Sequence, residues 1–158
     1  MSVRSGIGYD SHRLAAGRPM VIGGVELRSD VGPDAHSDGD VLSHAVIDAL
    51  LGAAGLGDIG SHFPDDDERH RGADSIELLV AAVALVRSAG YTIVNVDATV
   101  VLETPKLGDA RARMRERLAR ALGVDPSEVN VKATTGEGIG FVGRSEGLAA
   151  LAIATLDG

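Results

Sequence analysis

The segment His36-Ser37-Asp38-Gly39-Asp40-Val41-Leu42-Ser43-His44 sets a Pro/Gly/Asp loop directly against an apolar run that continues to about Ala54. That run reads as a helix over about Asp40 to Ala54, with His44 and Asp48 four residues apart on one face. His36 falls in the loop and His44 about one turn into the helix, so a rigid element holds one imidazole while a loop offers the other. Upstream, Val3 to His12 reads as a strand whose glycines permit close approach of another backbone or a ligand. Asp10 and His12 are two apart in it, so their side chains leave one face roughly 6 to 7 Å apart.

Asp10, His12 and His44 together form a three-donor metal set with an open position, the arrangement that catalytic zinc takes in preference to the closed four-ligand structural kind. A single histidine on a helix is ordinarily a hydrogen-bonded, partly buried side chain. It is the combination that points to a metal, because three of the five histidines lie in two short clusters beside carboxylates, whereas His62 and His70 lie in an acidic loop expected to be solvated.

Working outward, Met20 to Ile22 and Val25 to Leu27 flank Gly23-Gly24 and predict a small β-hairpin. Ser29 to Gly39 is expected to be a polar loop. Gly55 to Gly72 is rich in Gly, Asp and Pro. Its acidic run Asp65-Asp66-Asp67-Glu68 reads mainly as a solvated turn, while Gly57 to Gly60 leading into Phe63-Pro64-Asp65 has the make-up of a lid. Asp74 and Glu77 form a capping-box pair before a helix ending at Gly90. Tyr91 to Leu102 is a central strand. A helix over about Asp109 to Leu122 turns Met114, Leu118, Ala121 and Leu122 inward and five arginines to solvent. Glu128 to Ala133 and Gly147 to Leu156 are further strands. The expected fold is α+β: a two-layer α/β sandwich with a mixed four-stranded sheet, helices on one face and the hairpin added.

The chain's 158 residues suit a single domain over 1–158. Hydrophobic residues make up 44% but aromatics only 3%, so the core must be built from Ala, Val, Leu and Ile. With no cysteine, a transition metal must rely on His and carboxylate. A net charge of −8 argues against nonspecific nucleic-acid binding, and cations would have to neutralise a phosphate ligand. No apolar run approaches a membrane span and no signal segment opens the chain, so a cytoplasmic location without membrane association is expected.

A second constellation, Thr134-Thr135-Gly136-Glu137-Gly138, offers hydroxyls, backbone N–H groups and one carboxylate at a strand end. Those are groups suited to phosphate oxygens and to a bridging Mg²⁺. With Lys106, Arg144 and the proposed zinc site, the set suggests a diphosphate held between two metals, which is most of what phosphoryl transfer requires. Two other readings stand beside it: a metal-dependent phosphohydrolase, which fits the residue types, and a non-catalytic trimeric binding module for isoprenoid diphosphates, which only the family resemblance given below implies. The first is separated by its products, and retention of all three zinc-type donors speaks against the second.

With these motifs placed, the sequence resembles the 2-C-methyl-D-erythritol 2,4-cyclodiphosphate synthases of the non-mevalonate isoprenoid pathway. The resemblance runs end to end and includes Gly57-Asp58-Ile59-Gly60, Phe63-Pro64-Asp65, Gly72-Ala73-Asp74-Ser75, Asn130 to Thr135 and Gly140-Phe141. It implies conversion of 4-diphosphocytidyl-2-C-methyl-D-erythritol 2-phosphate to the cyclic diphosphate plus CMP, by a phosphorus–oxygen lyase that uses no nucleophilic side chain. It also implies zinc, or another divalent transition metal, on Asp10, His12 and His44, and Mg²⁺ or Mn²⁺ on Glu137. His36 and Thr135 match residues that stabilise the transition state. Ser37, Asp58, Ile59, Gly60, Phe63, Asp65, Asp67 and Thr134 match substrate contacts, and Leu102, Pro105, Lys106 and Leu107 match the segment that holds the cytidine end. The family is homotrimeric with sites between subunits, and Phe141 and Arg144 match residues near the trimer axis, where an isoprenoid diphosphate is implied. Two departures stand out: Gly136 replaces a frequent third threonine, and Glu103-Thr104 is a polar variant of the cytidine segment. The resemblance is to the stand-alone rather than the fused, bifunctional form.

Overall fold

A computed structural model describes residues 2–158. In chain order they form β1 (Val3–Ala16), a hairpin of β2 (Met20–Ile22) and β3 (Val25–Leu27), β4 (Val31–Asp34), α1 (Val41–Ala54), α2 (Ile59–His62), α3 (Ser75–Ser88), β5 (Thr92–Val101), α4 (Ala110–Leu122), β6 (Val129–Thr134), α5 (Gly140–Gly143) and β7 (Gly147–Asp157). Single 3₁₀ turns lie at Glu68–His70 and Pro126–Glu128.

The main sheet has five strands in the order β4-β1-β7-β5-β6, not the four expected. The added strand is β4, inside the stretch expected to be a loop. It pairs antiparallel with the far end of β1, which runs four residues beyond His12, so Arg13 faces Asp34 and Leu14 faces Pro33. Pro33 lacks a ladder N–H, which is tolerated because β4 is an edge strand. β5 and β6 are parallel, joined across α4, and the other pairings of this sheet are antiparallel.

Helix α1 lies directly on β1, β7 and β5; α4 covers β6, and α3 packs across α1 and α4. The seat of α1 on β1 is set by glycine. A Cβ on Gly8 would stand 1.8 Å from the Ala45 carbonyl oxygen, and one on Gly6 would stand 2.1 Å from that of Ala49. Glycine on the strand facing alanine on the helix therefore lets the two backbones nearly touch. Because side chains alternate along a strand, Gly6, Gly8, Asp10 and His12 share this face, so the strand that seats the helix body carries donors beneath its first turn.

Asp40 fixes where α1 begins. It is fully buried, and its carboxylate accepts from Ser43 N (3.0 Å), Ser43 Oγ (2.8 Å), Gly23 N (2.8 Å) and Gly24 N (2.7 Å). Burial raises its pKa and the Asp38 charge adds to this, while the Ser43 and Gly23 donors oppose it. The hairpin turn, with both glycines at positive φ as a tight two-residue turn requires, is thereby tied to the helix N-terminus. At the other end Gly55 adopts the left-handed conformation and stops the helix. Leu42, Ile47, Leu50 and Leu51 are inaccessible to solvent, each contributing about 1.5–3 kcal/mol of burial.

Candidate active site

The strand–helix seam brings Asp10, His12 and His44 together as expected. Asp10 Oδ2 lies 2.8 Å from His12 Nε2 and 2.9 Å from His44 Nδ1, and the two imidazole nitrogens are 3.2 Å apart. Around a tetrahedral ion with bonds of about 2.0–2.1 Å, donor atoms sit about 3.3 Å apart. The three atoms therefore need open by only a few tenths of an ångström to receive zinc, and the donor set, two imidazoles and a carboxylate without thiolate, is one that zinc accepts. Burial acts to raise the Asp10 pKa, but the hydrogen bonds and charges of His12 and His44 prevail and hold it at about 2. Burial likewise depresses His44, and its hydrogen bond to Asp10 more than reverses this, leaving it raised. The far nitrogen of His44, Nε2, lies 2.8 Å from Ser75 Oγ and 3.3 Å from Ser37 Oγ.

This cluster opens into a cavity of about 370 Å³ that also draws in His36, Ser37, Ile59, Gly60, Phe63 and Asp65. His36 is held from behind, with Nε2 3.0 Å from the Asp67 carbonyl oxygen. Asp48 accepts from Ile59 N (3.0 Å) and so anchors the lid segment to α1. Two of the residues matched to substrate contacts have other work within the chain. Asp58 caps α2 through Ser61 N and Oγ, and Asp67 is gripped by the Arg69 guanidinium. Neither lines the cavity. His70, expected to be solvated, does line it: its ring packs edge-on against Phe63 at 5.8 Å, with Asp67 3.7 Å from Nε2. His62 is likewise tied down, with Nε2 2.7 Å from the Leu56 carbonyl. The loop's acidic composition masked these roles, and the only local signal was Phe63, one of two phenylalanines in the chain.

Thr134, Thr135, Leu102, Pro105, Lys106 and Leu107 meet elsewhere, around a separate cavity of about 320 Å³ that includes Arg111. Within one chain they do not reach the histidine cluster. The sheet register sets Asp10, Ala150, Val100 and Ala133 in one row across four strands, three strand spacings or about 14 Å from end to end. Glu137 is exposed at positive φ and lines neither cavity. Phe141 lines a third, smaller hollow with His12 and Arg13, and Arg144 is on the surface, paired with Glu146 at 2.8 Å. The two departures in sequence turn out to be one feature, since the Glu103 carboxylate accepts from Gly136 N–H and joins the cytidine-side segment to the Thr134–Glu137 loop. A Cβ at position 136 would lie 2.6 Å from Gly143 N and 3.1 Å from that carboxylate, so a side chain there would crowd both.

Known proteins match this arrangement over nearly its whole length. The YgbB family model covers residues 3–157. The 2-C-methyl-D-erythritol 2,4-cyclodiphosphate synthase of Symbiobacterium thermophilum is 56% identical over 153 residues, covering 97% of this chain and 98% of that protein. That of Gemmatimonas aurantiaca is 54% identical over 154 residues, covering 98% and 93%. Among solved structures, a synthase in its CDP-bound form superposes with a TM-score of 0.89 at 40% identity, covering 98% of this chain and 100% of that one. The bifunctional IspDF of Campylobacter jejuni gives 0.94 at 44% identity, this chain spanning 42% of its length. With the family model, the relatives and the fold in agreement, the chain belongs to the YgbB family of 2-C-methyl-D-erythritol 2,4-cyclodiphosphate synthases.

Proposed function

We propose that this chain converts 4-diphosphocytidyl-2-C-methyl-D-erythritol 2-phosphate into 2-C-methyl-D-erythritol 2,4-cyclodiphosphate and CMP in the non-mevalonate pathway, acting as a cytoplasmic phosphorus–oxygen lyase. The observation that carries this reading is the three-donor cluster at the floor of the first cavity, in a chain whose relatives bear that name and whose structural neighbours include CDP complexes. A zinc ion on Asp10, His12 and His44, with Mg²⁺ or Mn²⁺ on Glu137, would supply Lewis-acid neutralisation of the diphosphate oxygens.

The chain's own groups bind and align. The substrate's 2-phosphate is largely dianionic near neutral pH, so it needs positioning more than deprotonation. One of its oxygens attacks the β-phosphorus, the bond from that phosphorus to the α–β bridging oxygen breaks, and the electron pair leaves with CMP. His36, braced against the Asp67 carbonyl, and Thr135 hold the developing charge. Ser37, Ile59, Gly60, Phe63 and Asp65 enclose the erythritol end, with Asp58 and Asp67 acting through the loops they cap. Thr134 and Lys106 hold the phosphates beside Leu102, Pro105 and Leu107 at the cytidine end.

Both half-sites are complete only if two chains meet, and the uncovered sheet face supplies a reason for them to do so. Ile7 faces Ile153 and Tyr9 faces Leu151 across β1 and β7, and these side chains are 70%, 51%, 54% and 40% exposed. Such a contiguous apolar patch marks an interface. A homotrimer closing over it would bring the β6 edge of one chain to the β1 edge of the next and leave an axial cavity near Phe141 and Arg144 for an isoprenoid diphosphate. Turnover in isotopically labelled water tests the chemistry: cyclisation leaves no solvent oxygen in the product, whereas incorporation would establish hydrolysis. Sedimentation of the purified protein tests the trimer.

A further inference from the structure

Ser75 and Asp38 lie outside the cavity and outside every role assigned above, yet they form the second link of the histidine cluster. Ser75 is fully buried at the start of α3, and its Oγ is 2.8 Å from His44 Nε2. The Asp38 carboxylate takes both of Ser75's donors, Oδ1 accepting from the hydroxyl and Oδ2 from the backbone N–H at 3.0 Å. Asp38 is itself fixed, since Oδ1 also accepts from Asp40 N at 3.1 Å.

A hydroxyl has one hydrogen. Ser75 gives it to the carboxylate, so towards His44 the oxygen can only accept, and Nε2 must carry the imidazole hydrogen. In a neutral ring Nδ1 then carries the lone pair, and Nδ1 is the atom 2.9 Å from Asp10 Oδ2 and 3.2 Å from His12 Nε2. The Ser37 hydroxyl does not upset this assignment: it stands 3.3 Å from Nε2, well beyond the Ser75 bond, and already accepts from Gly39 N at 3.2 Å.

We infer that Asp38 and Ser75 are positioning residues that hold His44 in the tautomer and orientation presenting Nδ1 to a divalent transition metal. The relay rests on the metal reading of Asp10, His12 and His44. It also gives α3 a part in the site, because the α1 imidazole is locked by a side chain from the next long helix. Partners of this kind typically account for about 10–100-fold in metal affinity.

The test is a zinc competition titration against a chelating dye, using the metal-free full chain and its Ser75→Ala and Asp38→Asn variants, with thermal unfolding of the metal-free forms alongside. Ser75→Ala deletes the acceptor. Asp38→Asn cannot accept everything the carboxylate accepts, so it frees the serine hydroxyl to turn its hydrogen towards Nε2. The expected result is zinc binding weakened about 10–100-fold in each variant that retains wild-type unfolding behaviour. Nitrogen NMR of the imidazoles in the loaded wild type should show the metal on His44 Nδ1 and the hydrogen on Nε2. If Ser75→Ala does not fold, Asp38→Asn and the wild-type spectrum decide. Wild-type zinc affinity in the folded variants, or metal on Nε2, overturns the relay while leaving the metal site in place. Failure of the wild type to bind zinc at all removes both.

Discussion

The histidine cluster and the Thr134–Gly140 loop, both tied by resemblance to one reaction, are built in opposite ways. The first is rooted in the core: its donors lie on β1 and α1, pressed together by Gly6, Gly8, Ala45 and Ala49, and each of its three donor atoms already contacts the other two. The second is exposed almost throughout, anchored to the rest of the chain by the Glu103 bond to Gly136 and the packing of Val142. The contrast teaches that close strand–helix packing can gather a three-donor set within one chain, whereas a loop with few buried contacts is left open to solvent.

The sharpest way to break this comparison is to remove one donor from the preorganised side. His44→Ala is expected to lower the metal content from about one ion per chain to none and to abolish turnover, as read by elemental analysis and CMP release. Unchanged metal content would refute the assignment. Next in size, Glu137→Ala should cut turnover about 10²–10³-fold, the scale of one lost charge-stabilising group, while leaving the unfolding temperature where it was because the residue is exposed. A large fall in stability would mean that the loop is structural after all.

Mixing these two inactive proteins under conditions of subunit exchange sharpens the contrast further. If each site takes the cluster from one chain and the loop from another, random reassortment restores about one site in four. No recovery from mixed trimers would place both halves in one chain. A smaller effect is expected from Gly8→Ala, which forces α1 away from β1: about 1–3 kcal/mol lost in denaturant unfolding, together with weaker zinc binding. Zinc binding at full strength despite that loss would show that the seam does not set the donor spacing.

The smallest effect concerns the loop behind His36. The Arg69 guanidinium beside Asp67 holds that carboxyl well below the usual range. With the folded pKa depressed, its contribution to the turn is present above the unfolded value of about 3.9 and is lost as pH falls through the lower folded one. Hydrogen exchange at the Arg69 amide, which donates to Asp67, should therefore show weaker protection in strong acid than the ordinary pH dependence of exchange allows.

Local spacing in the sequence by itself determined the elements and much of the chemistry. Asp10 and His12 share a face because strand side chains alternate, and Asp40 and Gly55 bracket α1 through the usual cap preferences. Gly23-Gly24 makes the hairpin turn. The tertiary structure alone decided what depends on pairing between distant segments. Val31–Asp34 looks like a loop, with Gly32 and Pro33 in it, and becomes a strand only because the end of β1 offers an open edge. Composition put His70 and Asp67 alike in a solvated loop, yet one turns into the cavity and the other into an ion pair with Arg69. Ser75 reads as an ordinary first-turn serine until α3 packs on α1 and sets its hydroxyl against His44, 31 residues away. Caps, turns and alternation are fixed within a few bonds of the residue concerned, whereas ladders, second-layer hydrogen bonds and the separation of the two half-sites depend on which surfaces the chain buries against each other.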